Sequence, residues 1–214
     1  MVARSDTVLY IESHRKWYVI SLILSVLIFA SAAFEVHAHG IAGWEQRVML
    51  DINHLSNKWR TAAIVTSAVG GSVWTALISV VLSYIFKLYR LSWRLAASFF
   101  VAIAVVYAAK HAVNQPEIFH LVSNLHFRIA VSRLAFPSGS TTIATVIALS
   151  LLPYMRKFWR FTILPIWVIV IGVVQMYLGS QTPLDLIGGV ALGVFLVSLV
   201  RIMPQNVRVF LRLD

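Results

Sequence analysis

Six runs of the chain, near 17–36, 61–86, 94–113, 138–155, 162–180 and 184–203, are apolar over lengths that match a bilayer. A hydrocarbon core of about 30 Å takes about 20 helical residues to cross. The expected fold is therefore all-α: a polytopic membrane protein of six transmembrane helices. Composition supports this, because 59% hydrophobic and 12% charged residues leave about half the charge a soluble domain carries.

Charge then orients the spans. Arg4, Arg15 and Lys16 precede the first, Lys87, Arg90 and Arg94 join the second to the third, Arg156, Lys157 and Arg160 join the fourth to the fifth, and Arg201, Arg208 and Arg212 follow the sixth. Twelve basic residues thus share one side with Asp6, Glu12 and Asp214, a net 12 − 3 = +9, against 6 − 5 = +1 on the other. The positive-inside rule places both termini in the cytoplasm, with 1–16 and 204–214 as cytoplasmic segments around a membrane domain at 17–203. A bacterial-type inner membrane is the expected location. The net charge of +10 belongs to topology, so no nucleic-acid partner is expected. Arg15-Lys16, a short apolar run and Ala30-Ser31-Ala32-Ala33 also resemble a cleavable signal peptide, and an uncleaved anchor is favoured because its even span count fits the charge pattern better. Cysteine is absent, which excludes disulfides, thiolate catalysis and Cys-ligated zinc.

Between the first two spans, Ile41, Trp44, Val48, Ile52, Leu55 and Trp59 recur at steps of three and four, with Glu45, Arg47, Asp51, His54 and Lys58 on other faces. This is either a helix in the membrane interface or one packed on the bundle. The second span holds Gly70-Gly71 and the sixth Gly188-Gly189, with Gly189 and Gly193 in a spacing that lets helix backbones approach, for packing within the chain or for a homodimer. In the 114–137 loop, Ile118, Leu121, Val122, Leu125 and Ile129 follow helical spacing, so a short amphipathic helix is expected over the extracytoplasmic mouth.

Three stretches converge on that mouth: Lys110–Ile118, Phe136–Ser140 and Val174–Asp185. Their order and spacing resemble the type-2 phosphatidic acid phosphatase family, related to the vanadium haloperoxidases, whose motifs read K-x6-R-P, P-S-G-H and S-R-x5-H-x3-D. The resemblance covers about residues 40–200. It implies a site where a lysine, two arginines and a serine-glycine turn at a helix N-terminus hold phosphate. One histidine, oriented by the aspartate, attacks phosphorus and another protonates the leaving oxygen.

Lys110, Pro137, Ser138, Gly139 and Asp185 match the family's pattern. Glu117 stands in the first arginine slot and Ile118 in the proline slot, Ser140 in the acid histidine slot, Val174 in the serine slot, Gln175 in the second arginine slot and Gln181 in the nucleophile slot. Over the reactive slots a family site carries +2, whereas Lys110 against Glu117 and Asp185 leaves −1. A unit pair about 4 Å apart is worth roughly 4 kcal/mol at an effective dielectric near 20, so a carboxylate in place of an arginine opposes a phosphate dianion. A carboxamide is neither basic nor nucleophilic. No phosphohistidine chemistry is expected, and Lys110, Ser138, Gly139 and Asp185 are expected to line a vestigial cavity. Lys110 is expected to be neutralised by Glu117 and Asp185, since an unpaired charge is expensive inside a bundle.

Glu35-x-His37-x-His39 offers a metal ligand set or a pH-sensitive patch, in a spacing that matches no strong zinc signature. His111 neighbours Lys110, but adjacent residues on a helix point about 100° apart. No cofactor is expected. The expected function is a catalytically inactive lipid-phosphatase-like protein that binds or moves a lipid-linked molecule, or an accessory subunit of envelope or polysaccharide assembly. Its partners would be membrane lipids, polyprenyl-linked ones among them, and a membrane protein or a second copy. The alternatives are a divergent lipid or polyprenyl phosphatase on the extracytoplasmic face and a small solute channel.

Overall fold

The computed structural model describes residues 15–115, 122, 124–130, 134–156 and 158–202. The expected terminal segments therefore fall almost wholly outside the described residues, as do Glu117, Ile118 and Leu121. All regular structure among the described residues is helical: α1 Arg15–His39, α2 Gly43–Asn53, α3 Arg60–Gly70, α4 Val73–Ile85, α5 Tyr89–Val113, α6 Gly139–Leu151, α7 Leu164–Tyr177 and α8 Pro183–Ile202. A 3-10 turn, Leu152–Tyr154, extends α6, and a π-helical turn, Trp159–Ile163, leads into α7.

Among the described residues, four helices are long and apolar enough to cross a membrane: α1, α5, α8, and α7 with its π turn. The α3–α4 pair, with its leading 3-10 turn, makes a fifth if its 54° bend lies within one span. The helix at Gly139–Tyr154 is shorter than a span, and the reason lies in its position. Thr141 through Ala148 are buried without interruption over two turns. A helix buried all round is enclosed by protein, so its ends need not reach the headgroups. Helix α6 is the axis of the bundle: α8 lies along it, α5 and α7 flank it, and α1 runs along the outer side of α8. One core cluster joins Ala102 and Val106 of α5, Val146 of α6, and Leu192, Leu196 and Val197 of α8.

Small residues set these distances. A methyl group built on Gly189 would stand 2.1 Å from Thr141 Oγ1 and 2.5 Å from the Ser138 carbonyl, and one on Gly193 would stand 2.7 Å from Thr145 Cβ. Gly189 and Gly193 therefore pack within the chain, against α6. At the Gly70-Gly71 break, a methyl on Gly71 would meet the Ser140 carbonyl at 2.9 Å. Ser72 then restarts the chain as the cap of α4, accepting from the Trp74 amide at 3.1 Å while Thr75 Oγ1 accepts from the Ser72 amide at 3.2 Å. The single straight second span read from the sequence is thus two helices, bent where the backbone must pass the start of α6.

Helix α2 shares features of both readings of its stretch. Trp44 and Val48 face outward, while Glu45, Met49 and Asn53, four residues apart, form the buried face against α7 and α8. The described residues of the 114–137 loop depart from expectation. Residues 125–128 are not helical, Asn124 has a positive φ of 64°, and the Arg128 amide donates to the Leu178 carbonyl at 3.1 Å. Side chains of α2 set this path: Asn53 accepts from the His126 amide at 2.8 Å and donates to the His126 and Tyr177 carbonyls at 3.0 Å each. Arg128 completes the clamp, donating to the Tyr177 carbonyl at 2.7 Å and to Asn57 Oδ1 at 3.1 Å. An apolar spacing of three and four is outweighed here by side chains that satisfy the loop's backbone groups in an extended path.

Candidate functional site

The start of α6 draws the three sequence stretches together. Ser138 caps this helix, its hydroxyl accepting from the Thr141 amide at 3.4 Å. The Ser138 amide donates to the Asp185 carbonyl at 3.0 Å, and Thr142 Oγ1 donates to the Gly189 carbonyl at 3.0 Å, so the turn is fastened to α8. On the other side the Ala135 amide donates to the Gln115 carbonyl at 3.3 Å, beyond the end of α5. Gly139 leads the helix with Val106 at ordinary contact distance from where a side chain would begin.

The hydrogen-bond partners of Lys110 are backbone carbonyls. Its ammonium donates to the carbonyls of Leu134 and, at 2.8 Å, Ala135. No ion pair joins it to Asp185 among the described residues, and Glu117 lies outside them. The backbone entering the 136–140 turn exposes two acceptors within the reach of a helix-borne lysine, and an ammonium satisfies both. Lys110 thus ties the end of α5 to the approach to α6.

Asp185 also has a structural partner set. Its Oδ2 accepts from the Thr182 amide at 2.7 Å and its amide donates to Thr182 Oγ1 at 3.4 Å. This is a reciprocal capping box, with Pro183 at the first position of the helix, where a missing amide hydrogen is harmless. Glu45, fully buried, caps two helices at once: Oε2 accepts from the Ala42 amide at 3.1 Å and Oε1 from the Leu184 amide at 3.0 Å. The sequence reading left Glu45 on a polar face. The available signal was an acidic residue in a first turn, which complements the positive end of a helix dipole.

The charged neighbours acting on Asp185 are Glu45 and Lys110. Glu45 and Asp185 are fully buried and Lys110 is half-buried. Gln175 and Gln181 are bound into the chain: Gln175 Nε2 donates to Ser67 Oγ at 3.0 Å, Gln175 Oε1 accepts from Ser180 Oγ at 2.6 Å, and Gln181 Nε2 donates to the Ser180 carbonyl at 2.7 Å. Gln181 Oε1, Asp185 Oδ1 and both polar side-chain atoms of Gln115 are buried with no protein partner among the described residues. Ser140 is half-buried at the second position of α6, against the Gly71 backbone.

The weaker candidates separate. Glu35 and His39, one turn apart, approach to 3.2 Å on the surface, and His37 does not join them. No group of three metal-ligating side chains forms among the described residues. His111 is exposed, its Nδ1 at 2.9 Å from the Tyr107 carbonyl, and so points away from the Lys110 cluster.

Comparison with known proteins agrees with this fold. The crystal structure of the first transmembrane PAP2-type phosphatidylglycerolphosphate phosphatase from Bacillus subtilis superposes with a TM-score of 0.70 at 18% identity, over 84% of this chain and 93% of that one. The crystal structure of Aquifex aeolicus LpxE gives 0.64 at 22% identity, over 72% and 93%. No curated protein matches the sequence. The profile of the PAP2 superfamily matches residues 91–208, more than half of the chain and the segment that supplies Lys110, the Ser138 turn and Asp185. Sequence, fold and placement of the three stretches therefore make this chain a multi-pass, all-helical member of the PAP2 superfamily.

Proposed function

We propose that the protein is a lipid-phosphatase-like membrane protein without phosphatase activity, which binds or moves a lipid-linked molecule or serves as an accessory subunit in envelope or polysaccharide assembly. The observation that carries this reading is that the polar groups in the reactive slots serve the protein itself. Gln175 and Gln181 hold the turn between α7 and α8, Lys110 holds two backbone carbonyls, and Asp185 caps α8. An active site needs donors aimed at the charge that develops in the transition state, and a nucleophile beside them. Here Gln181 has no lone pair basic enough to attack phosphorus. The site end of the bundle is taken as extracytoplasmic, both termini as cytoplasmic, and the membrane as the inner one.

A divergent phosphatase is the competing reading, favoured by the intact Ser138-Gly139 turn with its helix N-terminus. Phosphate release from phosphatidic acid, phosphatidylglycerol phosphate and polyprenyl diphosphate separates the two. Purified protein is expected to release none. Turnover at rates typical of the family would overturn the proposal. The variant Glu117→Arg/Ser140→His/Gln175→Arg/Gln181→His, assayed alongside, tests whether the scaffold still accepts the family's chemistry.

A further inference from the structure

Apart from the Lys110–Ser138–Asp185 group, the clamp that shapes the 124–128 segment brings two histidines together. His54 follows the last residue of α2, its amide donating to the Leu50 carbonyl at 2.8 Å, and His126 meets it from the loop. Their ring centroids lie 5.2 Å apart at an interplanar angle of 49°, and both residues are exposed. The backbones that carry them are held by other groups. Asn53, next to His54, bonds both the amide and the carbonyl of His126. That carbonyl would stand 2.9 Å from a methyl built on Gly179, so the loop is seated directly on the turn after α7.

A backbone carbonyl only accepts, so the 2.9 Å contact between His54 Nε2 and the Asn124 carbonyl makes Nε2 the donor. The lone pair of the neutral ring is then on Nδ1. Metal-binding histidines are commonly held in this way, the second nitrogen donating to a carbonyl that fixes tautomer and ring orientation. Neither ring nitrogen of His126 has a hydrogen-bond partner among the described residues, and an exposed ring can turn to offer either one. The spacing also fits: with a metal about 2.1 Å from each nitrogen, two imidazoles at a tetrahedral angle have centroids about 5 Å apart. We propose that His54 and His126 form a two-imidazole site for a divalent transition metal, which fastens the 124–128 segment to the end of α2. No third histidine or carboxylate joins them among the described residues, so water fills the remaining positions and binding is reversible. Imidazole suits zinc, nickel and copper, with copper(II) the tightest, whereas magnesium and calcium prefer oxygen. None of these residues belongs to the Lys110–Asp185 cluster, so the metal is bound whether or not the protein holds a lipid.

The test uses the full chain in detergent, purified without a histidine tag, and maps histidine modification by diethyl pyrocarbonate with mass spectrometry as copper(II), zinc(II) or magnesium chloride is added. Copper(II) at about ten times its dissociation constant is expected to slow modification of His54 and His126 about ten-fold, because only the unoccupied fraction reacts. Zinc(II) is expected to act in the same way at higher concentration, and magnesium to have no effect. His111, exposed and donating through its own Nδ1 to the Tyr107 carbonyl, is expected to react at an unchanged rate. His126→Gln, which leaves the backbone clamp in place, is expected to keep the metal-free melting temperature and to remove the protection of His54. His54→Gln is expected to remove the protection of His126. Modification rates at the pair that ignore copper(II), protection of either histidine that survives loss of the other, or equal protection at His111 would each overturn the inference.

Discussion

Asp185 and Lys110, which the sequence led us to expect in a phosphate-binding pattern, are each accounted for by the backbone around them. The Asp185 carboxylate satisfies the buried Thr182 amide, and Thr182 reciprocates. Losing a cap acceptor costs about 1–2 kcal/mol, and a buried amide without a partner about 1–3 kcal/mol. Asp185→Ala and Thr182→Ala are each expected to lower unfolding stability in detergent by about 1–2 kcal/mol. Because the two hydrogen bonds are one unit, the double variant should fall short of the sum by about 0.5–2 kcal/mol. Strict additivity in that cycle would assign Asp185 some other role. Glu45 belongs to the same unit through the Leu184 amide. It was invisible as a site residue because sequence periodicity placed it on a polar face, whereas the packing of α2 on α7 and α8 turned that face inward.

At the level of elements, glycine positions separate what the bundle requires from what it has inherited. Gly189 faces backbone and side chain of α6 that cannot retreat, since Ser138 is fixed by its hydrogen bond to Asp185. Overpacking typically costs 1–3 kcal/mol, so Gly189→Ala is expected to destabilise the fold by about 3 kcal/mol. Gly139 lies in the turn that cradles phosphate in the family, yet Val106 at 3.6 Å is the nearest atom to its would-be methyl. Gly139→Ala is expected to be neutral or stabilising by up to about 1 kcal/mol, because alanine loses less backbone entropy in a helix. Thermal unfolding of the pair checks both, and a Gly139 variant as damaged as the Gly189 variant would point to a constraint outside the described contacts. The apolar runs and the glycine spacing were legible in the sequence because period and residue size act locally. The bend at Gly71 was not, because the groups that crowd that glycine, Ile171 and the Ser140 carbonyl, lie far along the chain.

For the whole molecule, the partners its buried charges have already taken bear on what ligand the bundle accepts. The Lys110 ammonium is engaged by two carbonyls. A ligand that binds only the folded state raises its stability by RT ln(1 + [L]/Kd), about 2.7 kcal/mol at one hundred times Kd. Inorganic phosphate at millimolar concentration is therefore expected to leave the melting temperature of the solubilised protein unchanged. A rise that grows with phosphate and disappears in Lys110→Gln would show that the anion site survives.

The sequence by itself determined that the chain is helical, lies in a membrane and carries the three spaced stretches of the PAP2 superfamily. Hydrophobic run length, charge asymmetry and motif spacing are one-dimensional properties, and they hold however the helices are arranged. Tertiary structure alone decided which polar groups meet. Lys110 took two backbone carbonyls as partners, Glu45 came inward to cap α8, and Asn53 and Arg128 hold residues 126–128 outside the helix that the spacing predicts. A buried donor or acceptor takes whichever partner the packed backbone brings within about 3 Å, and that choice is made between residues far apart in the chain.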